Sequence, residues 1–149
     1  MQIRIVAAAI AGLAAIGAFY SLRAQSETSR SVWDGVYTEQ QANRGRALYG
    51  QECSGCHGDS LTGADEAPAL AGGAFIANWD CLTVGDLFER IRISMPASSP
   101  GKLNREKVAD ILSYLLAFNR FPAGTTELER QTEVLKQIRL EATKPDQKK

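Results

Sequence analysis

The sequence predicts an all-α domain of three to four short helices, and three observations lead there. Apolar side chains recur at helical spacing in separate stretches that open on capping residues. No stretch alternates apolar and polar residues for long enough to make a strand. Residues 58–82 carry glycines and a proline without any sustained period, which predicts mostly loop. The first helix runs from Thr38, its cap, to Gly50, with Ala42, Gly45, Leu48 and Tyr49 at helical spacing. Thr83 followed by Asp86 opens the second, whose apolar face is Leu87, Phe88 and Ile91. It must stop near Met95, because Pro96 disfavours helical backbone at the residue before it. Asn104 caps the third, a broad stripe of Val108, Ile111, Leu112, Leu115 and Leu116 that Pro122 and Gly124 bring to an end. Thr126 and Glu129 form a capping-box pattern ahead of Leu128, Leu135 and Ile138, which predicts a short amphipathic tail helix.

These elements divide the chain of 149 residues into four parts. Residues 1–24 have the build of a secretory signal: a positive start from Met1 to Arg4, an apolar run from Ile5 to Tyr20, and a cut after Ala24. An uncleaved anchor is the competing reading, but the run of 16 residues falls short of the roughly 20 that span a bilayer. Residues 25–37 read as a polar, flexible tether, residues 38–122 as the folded domain, and residues 123–149 as an extension bearing the tail helix. Three or four short helices with a long glycine-bearing loop make a thin core for a domain of this size. A large buried cofactor would account for its stability.

Charge excludes one class of function. The 17 basic and 17 acidic side chains cancel, and loss of Arg4 and Arg23 with the signal leaves 15 basic against 17 acidic. A mildly acidic chain has no concentrated basic surface with which to displace counterions from nucleic-acid phosphates. The charges are nevertheless ordered: the span from Glu52 to Glu89 holds seven acidic residues and no basic one, whereas Arg90, Arg92, Lys102, Arg105 and Lys107 follow with Glu106 alone opposing them. This order predicts a dipole across the domain, with a basic rim beside Met95 that an acidic partner could meet.

The chemistry sits at Cys53-Ser54-Gly55-Cys56-His57, a C-x-x-C-H pattern. Two thiols one helical turn apart can each add to a vinyl group of a porphyrin, and the next residue presents its imidazole to the iron. Small Ser54 and Gly55 let the ring lie against the backbone. Three other uses of these residues compete: a local disulfide, a redox-active dithiol, and a zinc site made of Cys53, Cys56, His57 and Cys81. Adjacent Cys56 and His57 reach one tetrahedral ion only with strain, and a thioredoxin-like dithiol needs a βαβ context that this helical pattern lacks. Covalent attachment of one haem is therefore expected, with iron bound by His57. Three cysteines cannot all pair within one exported chain. Cys81 is read first as a buried small apolar residue and second as a thiol that pairs with another chain.

The second axial ligand follows by elimination. His57 is the one histidine, and once Met1 leaves with the signal Met95 is the one methionine. A single Met is more often a core gap-filler. Met95, however, lies 38 residues after His57, at a helix end broken by Pro96 and followed by a Ser98, Ser99, Pro100, Gly101 loop that could lay its backbone over a porphyrin. With both axial positions filled by protein, the iron has no place for oxygen or substrate, and outer-sphere electron transfer is expected.

From Thr38 to Pro122 the chain resembles the class I c-type cytochromes. The resemblance implies the cytochrome c fold wrapped around one covalent haem c. It implies that the first and last core helices cross at Gly45 and Tyr49 against Tyr114 and Leu115. It further implies that Pro68 accepts the proximal imidazole N–H, that Leu70 packs on the ring, and that Met95 with Pro96 is the distal motif. More narrowly, the segment from Phe75 to Trp79, the Ser94-Met95-Pro96 ending and the Phe121-Pro122-Ala123-Gly124 exit resemble cytochromes associated with bacterial quinoprotein alcohol dehydrogenases. Two readings stand for Trp79: an indole N–H to a haem propionate, or simple core packing. Together these imply a periplasmic, signal-cleaved or membrane-tethered carrier. Its donor would be a dehydrogenase, one using a quinone cofactor among the options, and its acceptor a terminal oxidase or another cytochrome. The alternative is a ligand-binding or peroxidase-like haem protein with an open iron site.

Overall fold

In the computed structural model, which describes residues 30–65 and 67–145, the helices are α1 (Glu39–Glu52), α2 (Ser54–His57), α3 (Gly72–Trp79), α4 (Val84–Ser94), α5 (Arg105–Phe118) and α6 (Thr132–Leu135). Two short strands, β1 (Arg30–Ser31) and β2 (Ile138–Arg139), pair in parallel. The fold is all-α apart from this one pair among the described residues. The signal expected over residues 1–24 lies outside the described residues. No helix among those described is long and apolar enough to cross a membrane.

The caps act where the sequence puts them. Thr38 accepts a hydrogen bond from the Gln41 N–H at the start of α1, and Asn104 accepts one from Lys107 at the start of α5. Thr83 and Asp86 form a reciprocal capping box on α4, which ends at Ser94 with Met95 in extended backbone. The two longest helices, α1 and α5, cross at Gly45. A Cβ there would stand 1.8 Å from the Asp110 carbonyl oxygen, so only hydrogen lets the backbones meet. The Tyr49 and Tyr114 rings pack tilted to each other, centroids 5.3 Å apart, beside the crossing, and Arg44 grips the buried Asp110 carboxylate with two hydrogen bonds of 3.0 Å. Around this crossing Val108, Ile111, Leu112, Leu115 and Leu116 form the centre of the core with Leu87, Phe88 and Phe75.

Three expectations are corrected. Residues 30–37, the described part of the expected tether, are packed: Val32, Val36 and Tyr37 are buried in the core, and the Tyr37 hydroxyl donates to the Phe121 carbonyl at 2.6 Å. Apolar Val32, Trp33, Val36 and Tyr37 outweigh the polar residues between them, and Trp33 donates its indole N–H to the Glu141 carbonyl at 2.9 Å. The stretch expected to be mostly loop contains α3, in which Phe75, Ile76 and Trp79 make an apolar face that the preceding glycines obscure. The tail helix is only one turn, at Thr132–Leu135, and the Thr126–Glu129 capping box does not form. The reason is that Gln41 takes over the backbone there: its amide donates to the Leu128 carbonyl at 3.1 Å and accepts from the Leu128 N–H at 2.6 Å.

The extension, whose role the sequence left open, is a clasp. Gly124 donates to the Tyr37 carbonyl at 2.7 Å, Leu140 pairs with Cys81 and Leu82, and Leu128, Leu135, Ile138 and Leu140 are buried. Gly85 on α4 leaves room for the Lys136 backbone, which a Cβ would approach to 2.7 Å. Glu89 on α4 accepts from Arg92 and from the Thr132 hydroxyl, with Arg105 of α5 3.9 Å away, so one carboxylate ties α4 and α5 to the clasp.

Gly45→Ala is expected to lower stability by about 3 kcal/mol, since rigid backbone rather than a flexible side chain must yield; the midpoint of denaturant unfolding measures it. The hydrogen bonds from Arg92 and Thr132 hold the Glu89 carboxyl down to about 2. Because this folded value lies below the unfolded one, the stabilisation is complete above about pH 4.5 and is lost as pH falls toward 2. Solvent screening of the partly exposed pair limits it to about 1–2 kcal/mol. Glu89→Gln should remove that acid-dependent portion in unfolding measured from pH 7 to pH 2, and an unchanged pH profile would contradict the assignment.

Candidate haem site

The end of α1 delivers the reactive residues. Cys53 closes α1 by donating its N–H to the Tyr49 carbonyl at 2.9 Å and at once starts α2, where the His57 N–H returns to the Cys53 carbonyl at 3.0 Å. In this single turn Cys53 and Cys56 stand three residues apart on one face and His57 follows. Both thiols are free, Cys53 half-buried and Cys56 exposed, and His57 is buried. Burial, then the nearby Glu52 and Cys56, push the Cys53 thiol up to about 11. Among the described residues no cluster of three or more His, Cys, Asp or Glu side chains could hold a metal ion.

His57 is oriented by the loop that follows it. Its Nδ1 lies 2.8 Å from the Pro68 carbonyl oxygen, which can only accept, so the proton sits on Nδ1 and the Nε2 lone pair is left for a metal. The loop is closed by bonds from the Gly63 N–H to the His57 carbonyl at 3.0 Å and from the Leu70 N–H to the Leu61 carbonyl at 2.8 Å. Tyr49 fastens it to α1 through its hydroxyl, which donates to the Gly58 carbonyl at 2.7 Å.

Residues that sequence reasoning missed complete this loop. Gly63, at φ +76, has no room for a Cβ, which would meet the Ala67 carbonyl oxygen at 2.4 Å. Leu61 is fully buried beneath it. Asn119, the C-cap of α5, donates to the Leu70 and Leu115 carbonyls and accepts from the Gly72 N–H at 3.0 Å. It thereby caps α3 from another helix, because Ala71 has no side chain able to do so. Nothing in the local sequence joins Asn119 to Gly72, 47 residues away.

The other expected residues come from separate elements. Leu70, Ile76, Trp79, Met95 and Leu48, like Cys53, are partly buried against the core. Trp79 ends α3 with its ring 6.4 Å from Phe75, and its indole N–H has no protein acceptor among the described residues. Met95, at the end of α4, donates its N–H to the Ile91 carbonyl at 2.9 Å. No hydrogen bond joins Met95 or Trp79 to His57. Cys81 is corrected: it is exposed rather than buried, at φ +67, because Leu140 draws its N–H into the clasp and turns the side chain outward. The charge order is also softened, since Lys102 pairs with Glu52 at 2.7 Å while Arg92 and Arg105 face Glu89.

Free Cys53 and Cys56 with a buried, Nδ1-protonated His57 are the donor set that a covalent haem requires. Residues 40–115, 76 of 149, match the family model described as cytochrome c oxidase, cbb3-type, subunit III. The chain belongs to this family of c-type cytochrome domains. No curated protein matches it. Among solved structures it is similar to "Crystal Structure of the Sulfane Dehydrogenase SoxCD from Paracoccus pantotrophus", at 24% identity and a TM-score of 0.47, over 77% of this chain and 66% of that one. The chain therefore spans just under two thirds of that neighbour's length. As a monohaem c-type cytochrome it carries one covalent haem c, whose iron supplies reversible one-electron chemistry. Cys53 and Cys56 would hold the porphyrin edge, and the His57 imidazole, oriented by the Pro68 carbonyl, would bind the iron.

Gly63→Ala should lower the denaturation midpoint by the equivalent of about 2 kcal/mol at unchanged m value, since the loop presenting Pro68 must shift. An unchanged midpoint would show that the loop tolerates the added methyl group.

Proposed function

We propose that this cytochrome is an exported, periplasmic electron carrier with no catalytic site of its own. In this reading its haem is attached at Cys53 and Cys56 and ligated by His57 and Met95, with Pro68, Leu70 and Trp79 against the ring. Electrons enter from a dehydrogenase, a quinoprotein being the closest fit to the Phe75–Trp79 and Phe121–Gly124 segments, and leave to a terminal oxidase or another cytochrome. The protein is released by cleavage near Ala24 or stays tethered by the apolar run from Ile5 to Tyr20. The observation that carries the reading is the 2.8 Å hydrogen bond from His57 Nδ1 to the Pro68 carbonyl, which leaves a single nitrogen for iron.

The electron-carrier reading is further supported by Met95, the one methionine after residue 1, at a helix end packed on the core. Imidazole with thioether favours ferrous iron and so a positive potential, and a fully ligated iron exchanges electrons through the ring edge without binding substrate. An open site would instead favour a ligand-binding or peroxidase-like protein.

The oxidised protein should show the weak visible band of methionine bound to iron, and carbon monoxide should leave the reduced spectrum unchanged. Met95→Ala should abolish the band, lower the potential and admit carbon monoxide. Carbon monoxide binding to the reduced wild type would replace the carrier by the open-site alternative.

A further inference from the structure

We propose that the ion pair between Lys102 and Glu52 is a latch that keeps the methionine loop closed over the haem site, so that both are positioning residues for Met95. The inference rests on the reading of Met95 as the distal ligand. Residues 96–102 join Met95 to Leu103, which is buried, and from Ala97 to Lys102 they are exposed. The loop's backbone bonds are internal: the Ser99 N–H donates to the Pro96 carbonyl at 2.9 Å and the Lys102 N–H to the Ser99 carbonyl at 3.3 Å. Among the described residues, Lys102 Nζ to Glu52 Oε2 at 2.7 Å is the one hydrogen bond or ion pair that ties residues 96–102 to the rest of the chain.

The other end of that pair is well placed for the task. Glu52 is the last residue of α1 and the neighbour of Cys53, and its side chain is only 16% exposed against 47% for Lys102. The helix therefore holds the carboxylate still while the lysine brings the loop to it. One contact thus joins the helix end that bears the first thiol to the loop that follows the methionine. Pairs with one exposed partner are weak, and such a latch shifts the closed-to-open equilibrium of the loop about twofold to fivefold. An external ligand that competes with Met95 binds in proportion to the open fraction, so its apparent affinity reports the latch directly.

The test is titration of the ferric holoprotein with neutral imidazole at low salt, followed in the visible spectrum. Lys102→Gln and Lys102→Met should each bind imidazole about twofold to fivefold more tightly than wild type, as should Glu52→Gln. Exchanging the charges, Glu52→Lys with Lys102→Glu, should return the affinity toward wild type. About 1 M salt should tighten binding in the wild type and leave the Lys102 variants unchanged. Should substitution at Glu52 impair haem attachment beside Cys53, the Lys102 variants and the salt series carry the test alone. Wild type that shows the methionine band, with Lys102 variants of unaltered imidazole affinity, overturns the latch alone. Wild type that lacks the band overturns the ligation by Met95 and the latch with it.

Discussion

Contact between two backbones at Gly45 is the constraint on which the rest of the molecule depends. With the Asp110 carbonyl oxygen 1.8 Å from where a Gly45 Cβ would be, the backbones of α1 and α5 meet directly, and this contact constrains the course of α1. That course matters because α1 ends at Glu52 and hands Cys53, Cys56 and His57 to the site within one turn. Arg44 on Asp110 and Tyr49 on Tyr114 hold the crossing on either side. Tyr49 then serves the site itself through its bond to Gly58. Fold and site share residues here, so an error in helix packing becomes an error in ligand position.

The imidazole is the second fixed point. Its orientation comes from a carbonyl, not from a carboxylate, so the group that orients the ring carries no charge. That carbonyl is presented by a loop with almost no regular structure, held by Gly63 and Leu61 within it and by Tyr49 and Asn119 from α1 and α5. Loops carry function when a rigid frame supports them, and these two helices are the frame. The terminal segments close the frame from outside, with β1 against β2, Gly35 against Gly124 and Gln41 on Leu128.

Much of the site was legible because its chemistry is local. Cys53, Cys56 and His57 lie within five residues, and one turn of helix is enough to arrange them. Thr38, Thr83 and Asn104 were legible as caps for the same reason, each accepting from the backbone N–H three residues on. Thr126 and Glu129 carried an equally good local signal and formed no cap, because Gln41, 87 residues away, had already satisfied the backbone at Leu128. Asn119 on Gly72 and Lys102 on Glu52 were hidden for the same physical reason: a hydrogen bond or ion pair between distant positions leaves no spacing pattern behind.

The sequence by itself determined the helical class, the order of the three main helices and the turn that carries Cys53, Cys56 and His57, since each depends on interactions a few residues long. Only the tertiary structure decided that residues 30–37 join the core, that residues 123–145 clasp the domain, that Cys81 faces outward, and that the acidic and basic stretches neutralise one another in part. Those outcomes turn on which distant surfaces meet. Burial and ion pairing reward proximity in space, and proximity in space is settled by the packing of the whole chain.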